Sequence, residues 1–324
     1  MKLAAFLSIL IVAVSVIPGI SHAQKFPERP IRFVVPFPPG GSPDANARAL
    51  GKHLQASLGQ SIVVDNRSGA DGIIGTDHVV KSQPNGYTYL FMGHTLLTNA
   101  LLNEHQPFDV MTDLAPVTLF ALSDGYVIVV NPAVRATSVG ELVRLSKAGG
   151  RELRYGTPGL GTSQNLAGEL FNTLSGSKIV HIPYRGLGPA VNALMGGDEL
   201  HVGFVPMSVV TQQVVNGRLR AVANTATARW KRWPDIPTVA ETIPGFAFSG
   251  GWHGMFAPAK TPPPILARMH AEVKKALALQ ELRDYLEVSG YEPLGSSPEE
   301  FRKYLVADFD RWRELIRIGK VEKK

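Results

Sequence analysis

From residue 31 to about residue 225 the chain alternates short β-branched runs with stretches that place an apolar residue at every third or fourth position. Few architectures accept that rhythm. Strand followed by helix, repeated, packs as a largely parallel sheet with helices on its faces. The predicted strands are 31–37, 61–65, 87–92, 127–130, 153–155, 178–184, 200–205 and 219–224. Predicted helices include 45–58, with Ala47, Leu50, Leu54 and Leu58 on one face, then 76–82, 139–148, and a stripe of Leu166, Leu170 and Leu174.

After residue 225 the rhythm changes. WPDIPTVAETIPGF leads into GGWHGMFAPAKTPPP, and then helices dominate at 265–278, 281–288 and 298–318. The last carries Phe301, Leu305, Phe309, Trp312 and Ile316, an apolar stripe read as core packing. His253 falls in the Gly-rich connection and is read as a packing residue. These helices have no predicted strands of their own, so they are expected to pack back on the first sheet. The chain then crosses twice between two α/β domains. One is expected to comprise 24–125 with 246–324 and the other 126–245, with hinges near 126 and 245.

Composition sets limits on chemistry. Of 324 residues 44% are hydrophobic and 19% charged, the balance of a chain with a real core. There is no cysteine, which excludes a thiol nucleophile, a disulfide framework, cysteine-ligated zinc and a lipid-modified N-terminal cysteine. The net charge of +6 comes from scattered residues, without the basic runs interleaved with aromatics that mark nucleic-acid binding. Residues 1–23 follow the plan of a secretory leader: Lys2, an apolar run from Leu3 to Ile17, Pro18-Gly19, then Ser21-His22-Ala23. The run is shorter than the ~20 residues a spanning helix needs. Cleavage after Ala23 is expected, leaving an exported, soluble, periplasmic chain that starts at Gln24 and has 324 − 23 = 301 residues.

Two loops carry the chemistry. In PFPPGGSPD a strand ends in prolines and two glycines before a helix, with Ser42 at the expected N-cap, Pro43 at N1 and Asp44 in the first turn. Glycine is costly to order, so a paired glycine points to use of the backbone itself. A helix N-terminus offers unpaired N–H donors and a positive partial charge, which together suit an anion. Asp44 either stabilises the helix start or turns inward toward a ligand amine or hydroxyl. The second loop, YGTPGLGTSQNL, repeats the plan with Gly156, Gly159 and Gly161, and Thr162 or Ser163 as cap. Two such ends facing across a cleft would hold one small anion from both sides. In HIPYRGLGPAV, Arg185 is read as a surface residue ahead of a ligand contact, and His181 as a core or hinge residue. GxSxG, HExxH, Walker and EF-hand spacings are missing, so no catalytic residue, metal or cofactor is expected.

Several of these segments occur together in one family. RPIRFVVPFPPGGSPDANAR, VVDNRSGADGIIGTDHV, PNGYTYLF, YGTPGLGTSQNLAGELF, HIPYRGLGPAVNALMGG, PTVAETIPGF and APAKTPP, in that order, resemble the solute-binding subunits of tripartite tricarboxylate transporters, the Bug proteins. The resemblance covers essentially all of the chain after the leader. It implies a flytrap: two α/β domains, each a mainly parallel sheet flanked by helices, closing on a small organic acid. It implies that the loops 37–44 and 157–165 hold the carboxylate through backbone N–H groups and bridging waters. By that resemblance Phe37, Gly40, Gly41 and Ser42 belong to the site in the first domain, and Thr157, Gly161 and Thr162 in the second. Thr95 and Pro206 would line the pocket. Asp44 and Asn165 complete the candidate set. Asn165 stands where the family usually has histidine, which changes the hydrogen bonding. Val205-Pro206-Met207 replaces a usual acidic or small polar residue, which tilts the expected ligand toward one with an apolar portion.

The leading expectation is a monomeric binding protein that delivers a carboxylate to membrane permease subunits. An alternative of another class is a ligand-sensing module whose closed form contacts a sensor kinase. An exported hydrolase is disfavoured by the absence of any nucleophile–base motif.

Overall fold

The computed structural model describes residues 26–150, 152–318 and 321. The expected leader and its cleavage site lie outside them. Along the chain come β1 (Ile31–Val35), α1 (Ser42–Leu58), β2 (Ile62–Asn66), α2 (Ile73–Val80), β3 (Thr88–Gly93), α3 (Thr95–Leu102), α4 (Val110–Asp113) and β4 (Leu114–Ser123). Next are β5 (Val127–Val130), α5 (Val139–Lys147), β6 (Arg154–Thr157), α6 (Ser163–Ser175), β7 (Val180–Pro183), α7 (Leu187–Gly196), β8 (Val202–Val205), α8 (Met207–Val215) and β9 (Arg220–Asn224). The last stretch holds β10 (Trp252–Pro258), α9 (Pro263–Leu277), α10 (Gln280–Val288), β11 (Tyr291–Pro293) and α11 (Pro298–Ile318).

The strands form two sheets, one of six in the order β11-β4-β10-β3-β1-β2 and one of five in the order β7-β6-β8-β5-β9. Both are mixed. β1 pairs parallel with β2 and β3, and β6 parallel with β7 and β8. β10 runs against β3 and β4, and β5 against β8 and β9. The reason is topological. β4 ends at the edge of its sheet that carries the carboxyl ends of β1 and β3. The chain crosses there and enters the second sheet at the matching edge, so β5 must run away from it. β10 repeats this on the return.

The two crossings lie side by side. Thr225 accepts from Phe248 N–H at 3.1 Å and its hydroxyl donates to Phe248 O at 2.9 Å, while Ser123 N–H donates to Gly251 O at 2.8 Å. A Cβ on Gly250, whose φ is +67°, would fall 2.7 Å from Ser123 Oγ and 3.1 Å from Gly125 Cα. Close approach of two backbones is what glycine allows here.

Period-two burial sorts the first sheet's faces. Ile31, Phe33 and Val35 pack with Ala47, Leu50 and Leu54 of α1 and Met269 and Val273 of α9. Val34, Leu90 and Met92 face the other side, in a cluster that continues through Tyr126, Phe248 and Trp312 into the second sheet. The stripe expected on α1 is buried as read. So are Phe301, Leu305 and Trp312 of α11, which packs on β4 as expected of the final helices. Asp308 pins that helix. Its Oδ2 accepts from Trp252 Nε1 at 2.6 Å and Trp312 Nε1 at 2.7 Å, and its Oδ1 from Arg311 Nε at 2.8 Å.

The reading of GGWHGMFAP fails. The stretch read as a Gly-rich connection is β10, a central and fully buried strand. Its glycine is a packing requirement: a Cβ on Gly254 would sit 2.4 Å from Phe301 Cζ. His253 is therefore a strand residue, not a crossover residue.

Candidate ligand-binding site

A cavity of about 250 Å³ opens where the carboxyl ends of β1, β3, β6, β7 and β8 meet. Crevices outside carboxyl strand ends are where open α/β sheets bind ligands. Five helix N-termini reach it, because the residue that caps each helix lines the wall: Gly41 of α1, His94 of α3, Thr162 of α6, Gly186 of α7 and Pro206 of α8. Each end leaves its first N–H groups without intrahelical acceptors and carries a positive partial charge. Among the lining residues Arg185 is the one with a full charge, and no Asp or Glu is present. Arg185 is exposed.

The first loop is built differently from expectation at its cap. Gly41, not Ser42, is the N-cap of α1; Ser42 is N1 and Pro43 N2. The Ser42 hydroxyl is engaged with the Tyr291 phenol instead. Phe37, Gly40, Gly41 and Ser42 all line the cavity. Asp44 does not. Its Oδ2 accepts from Gly40 N–H at 3.0 Å, and both its oxygens accept from Arg48 Nε, at 3.0 and 3.1 Å. Burial opposes its ionisation, but the bonds from Arg48 and Gly40 outweigh it and hold the carboxyl below the usual range. Of the two roles weighed for Asp44, the structural one is realised. It ties the loop to the helix and keeps a negative charge out of the cavity.

The second loop carries its cap where expected. Thr162 Oγ1 accepts from Asn165 N–H at 3.4 Å and donates to Gly159 O at 2.8 Å. Thr162 lines the cavity, together with Pro158, Ser163 and Gln164. Thr157, Gly161 and Asn165 do not line it and form the scaffold behind it. Gly161 N–H donates to Asn165 Oδ1 at 3.0 Å, and Asn165 Nδ2 donates to the Tyr155 hydroxyl at 3.1 Å. Thr157 Oγ1 lies 2.6 Å from His181 Nε2. Gly161 has φ of +76°, and a Cβ there would come within 2.4 Å of Leu102 Cδ1. His181, read as a core or hinge residue, is half-buried on the edge strand β7; desolvation pushes it down to about 4.

Thr95 and Pro206 line the wall as expected. Val205 and Met207 do not. Both are buried in the second sheet's cluster with Val129 and Leu194, because alternate residues around Pro206 point away from the cleft. The expected apolar tilt from these two side chains is not realised; the apolar surface comes from Phe37, Pro38, Leu187 and Pro189.

Among the polar wall residues that sequence reading missed, three are basic side chains. Arg185 was assigned to the surface. His94 and His253 are far apart in sequence, and the antiparallel pairing of β3 with β10, which sets His253 opposite Gly93, brings them together. Asn46 Nδ2 donates to His253 Nδ1 at 2.9 Å, and Ser163 N–H donates to His94 Nε2 at 3.2 Å. Burial pushes both histidines down to about 3, with His253 and Arg311 adding to the effect on His94, so both are neutral at ordinary pH. The signal that would have found all three is position: each stands on, or just past, a strand end at the cleft.

Known proteins share this arrangement. Residues 46–320 match the model of the tripartite tricarboxylate transporter family receptor. Protein BugT of Bordetella pertussis is 35% identical over 319 residues, covering 98% of this chain and 97% of its own length. The R. palustris structure of Rpa4515 with adipate superposes with a TM-score of 0.88 at 31% identity, covering 92% of this chain and all of that one. MatC of Rhodopseudomonas palustris, with bound malate, superposes at 0.82 with 27% identity over 90% of this chain and all of that one. The chain belongs to the tripartite tricarboxylate transporter receptor family, periplasmic solute-binding proteins and not enzymes.

Proposed function

We propose that this protein captures a small organic carboxylate between two lobes and delivers it to the membrane permease of a tripartite tricarboxylate-type transporter. The observation that carries the reading is the charge of the wall: five helix N-termini and one arginine, with no acid facing them. A carboxylate placed there would gain charge-assisted bonds from donors already fixed by the fold. Neither histidine would repel or attract it strongly, since both are neutral. Adipate bound to Rpa4515 and malate bound to MatC support the ligand class. At roughly 30 Å³ per water-sized volume, 250 Å³ suits an acid of about eight non-hydrogen atoms.

The lobes that move in this reading are 24–125 with 246–324, and 126–245. The paired crossings at 124–126 and 249–251 serve as the pivot, since glycines 125 and 250 hold positive φ there and short segments absorb hinge rotation. The leader ends at Ala23, and the rest of the chain works as a monomer. A thermal-shift screen of acids against their matched amides tests the ligand class. Melting points raised by an acid and not by its amide support it; equal response to both refutes it.

A further inference from the structure

His94 joins the two sheets. It follows β3 of the six-stranded sheet, yet its Nε2 accepts from Ser163 N–H, the first residue of α6 on the five-stranded sheet, at 3.2 Å. Its ring stacks on Trp312 of α11, with centroids 4.6 Å apart and planes 26° apart. Both partners are fully buried. Gly251 completes the fit: a Cβ there would lie 1.9 Å from His94 Nδ1, so no other residue leaves the ring in place. Because Nε2 accepts, the neutral ring carries its proton on Nδ1, and that atom has no hydrogen-bond partner among the described residues. The ring is thus placed for one bond only, and that bond spans the cleft.

We propose that His94 is a positioning residue of the binding site, a latch that holds the N-terminus of α6 against the first lobe when the lobes are shut. The anion donors of α6 face the cavity only while that end is held. Rotation about the crossings would separate Ser163 from His94 and release it. The latch needs a neutral imidazole. Protonation would turn Nε2–H toward Ser163 N–H and set a cation against a helix N-terminus, which repels it.

The groups facing the ring all act in one direction or cancel. His253 on β10 and Arg311 on α11 disfavour a charge on it, and the Asp308 carboxylate is taken up by Arg311, Trp252 and Trp312. On α6 the nearest polar side chain, Ser163, is engaged with Tyr126 OH. His94 is held far below the ordinary imidazole value of 6.5 in the shut form; release exposes Nε2 to water and raises it toward that value, so opening takes up a proton. The shut form is then fully favoured above about pH 6.5 and loses up to about tenfold per pH unit below it.

The test needs no ligand, so a failure to bind carboxylates would leave it intact and separate the two readings. The chain has no cysteine. Nitroxides on Gln55→Cys in α1 and Arg144→Cys in α5 report the distance between lobes by pulsed electron resonance. At neutral pH, His94→Phe keeps the ring stack but removes the acceptor. Ser163→Pro removes the donor at a helix position that tolerates proline. Each should add a longer-distance population that the otherwise unaltered chain lacks, and the double variant should add no more. Ser163→Ala keeps the N–H and should retain the short distance. His94→Gln restores an acceptor and should retain it too. Lowering the pH to 5 should lengthen the distance with His94 present and leave His94→Gln unchanged. The proposal is overturned if His94→Phe or Ser163→Pro keeps the short distance, or if His94→Gln opens with acid as the histidine form does.

Discussion

Replacing Arg185 by Gln removes the one full charge in the cavity wall and little else. Arg185 is exposed and forms no ion pair among the described residues, so the fold should not register the change. Its effect on a bound carboxylate can be bounded. Unit charges about 4 Å apart interact by ~1 kcal/mol at the dielectric constant of water and ~4 kcal/mol at an effective value near 20. Exposure places Arg185 toward the first limit, so we expect a loss of about 1–2 kcal/mol, roughly five- to thirtyfold in Kd. Calorimetric titration of both proteins with adipate and malate measures it. Raising the salt should narrow the gap, because an exposed pair is screened over about 10 Å at 0.1 M ionic strength. A variant that binds as tightly as the native chain, at any salt, would refute the assignment of Arg185 to the ligand. The helix N-termini would then carry the anion alone.

Other expectations follow from the scaffold. Gly41→Val should abolish carboxylate binding without unfolding the chain: the first added carbon has 3.6 Å of clearance to Pro43, and the branch projects beside the wall. Circular dichroism with calorimetry checks both halves. Asn165→Ala strands Gly161 N–H and removes the amide that donates to the Tyr155 hydroxyl, which keeps its own bond to Glu169. It should cost about 1–3 kcal/mol in a urea titration, although Asn165 does not line the cavity. Asp44→Asn should alter the acid limb of stability. The native carboxyl is held below its ordinary 3.8, so its stabilisation is present above that value and lost as pH falls. The urea midpoint of the variant should therefore decline less steeply below about pH 4.

The site was legible in the sequence where backbone chemistry leaves a mark. Prolines, paired glycines and a Ser/Thr before a helix announce a strand-to-helix turn at 37–44 and at 157–165, and both turns line the cavity through Gly40, Gly41, Ser42 and Thr162. What could not be read was which residues of those loops face outward. Thr157, Gly161 and Asn165 look like ligand contacts in a string of letters, yet hydrogen-bond one another or their neighbours behind the wall.

Strands outside the repeating pattern were also hidden. β4 is buried along nearly its whole length, so it shows no alternation, and Pro116 interrupts it. The sheet accommodates that proline with a register shift opposite, between Met255 and Phe256. β10 was masked by the glycines its packing demands. With it went His253, and with the β3–β10 pairing went the meeting of the two histidines. Tertiary pairing writes nothing local into a sequence, and a lone histidine reads the same in a core as in a wall.

The most direct test of the central claim is calorimetric titration of protein that has been unfolded, freed of any carried-over ligand and refolded, using adipate and its diamide in parallel, alongside other small acids and their amides. If helix N-termini and Arg185 hold a carboxylate, at least one acid binds and its amide does not. At 100 times its Kd that acid stabilises the chain by about 2.7 kcal/mol, several degrees in melting temperature. Binding of acid and amide with equal affinity, or binding of neither across the set, would contradict the account.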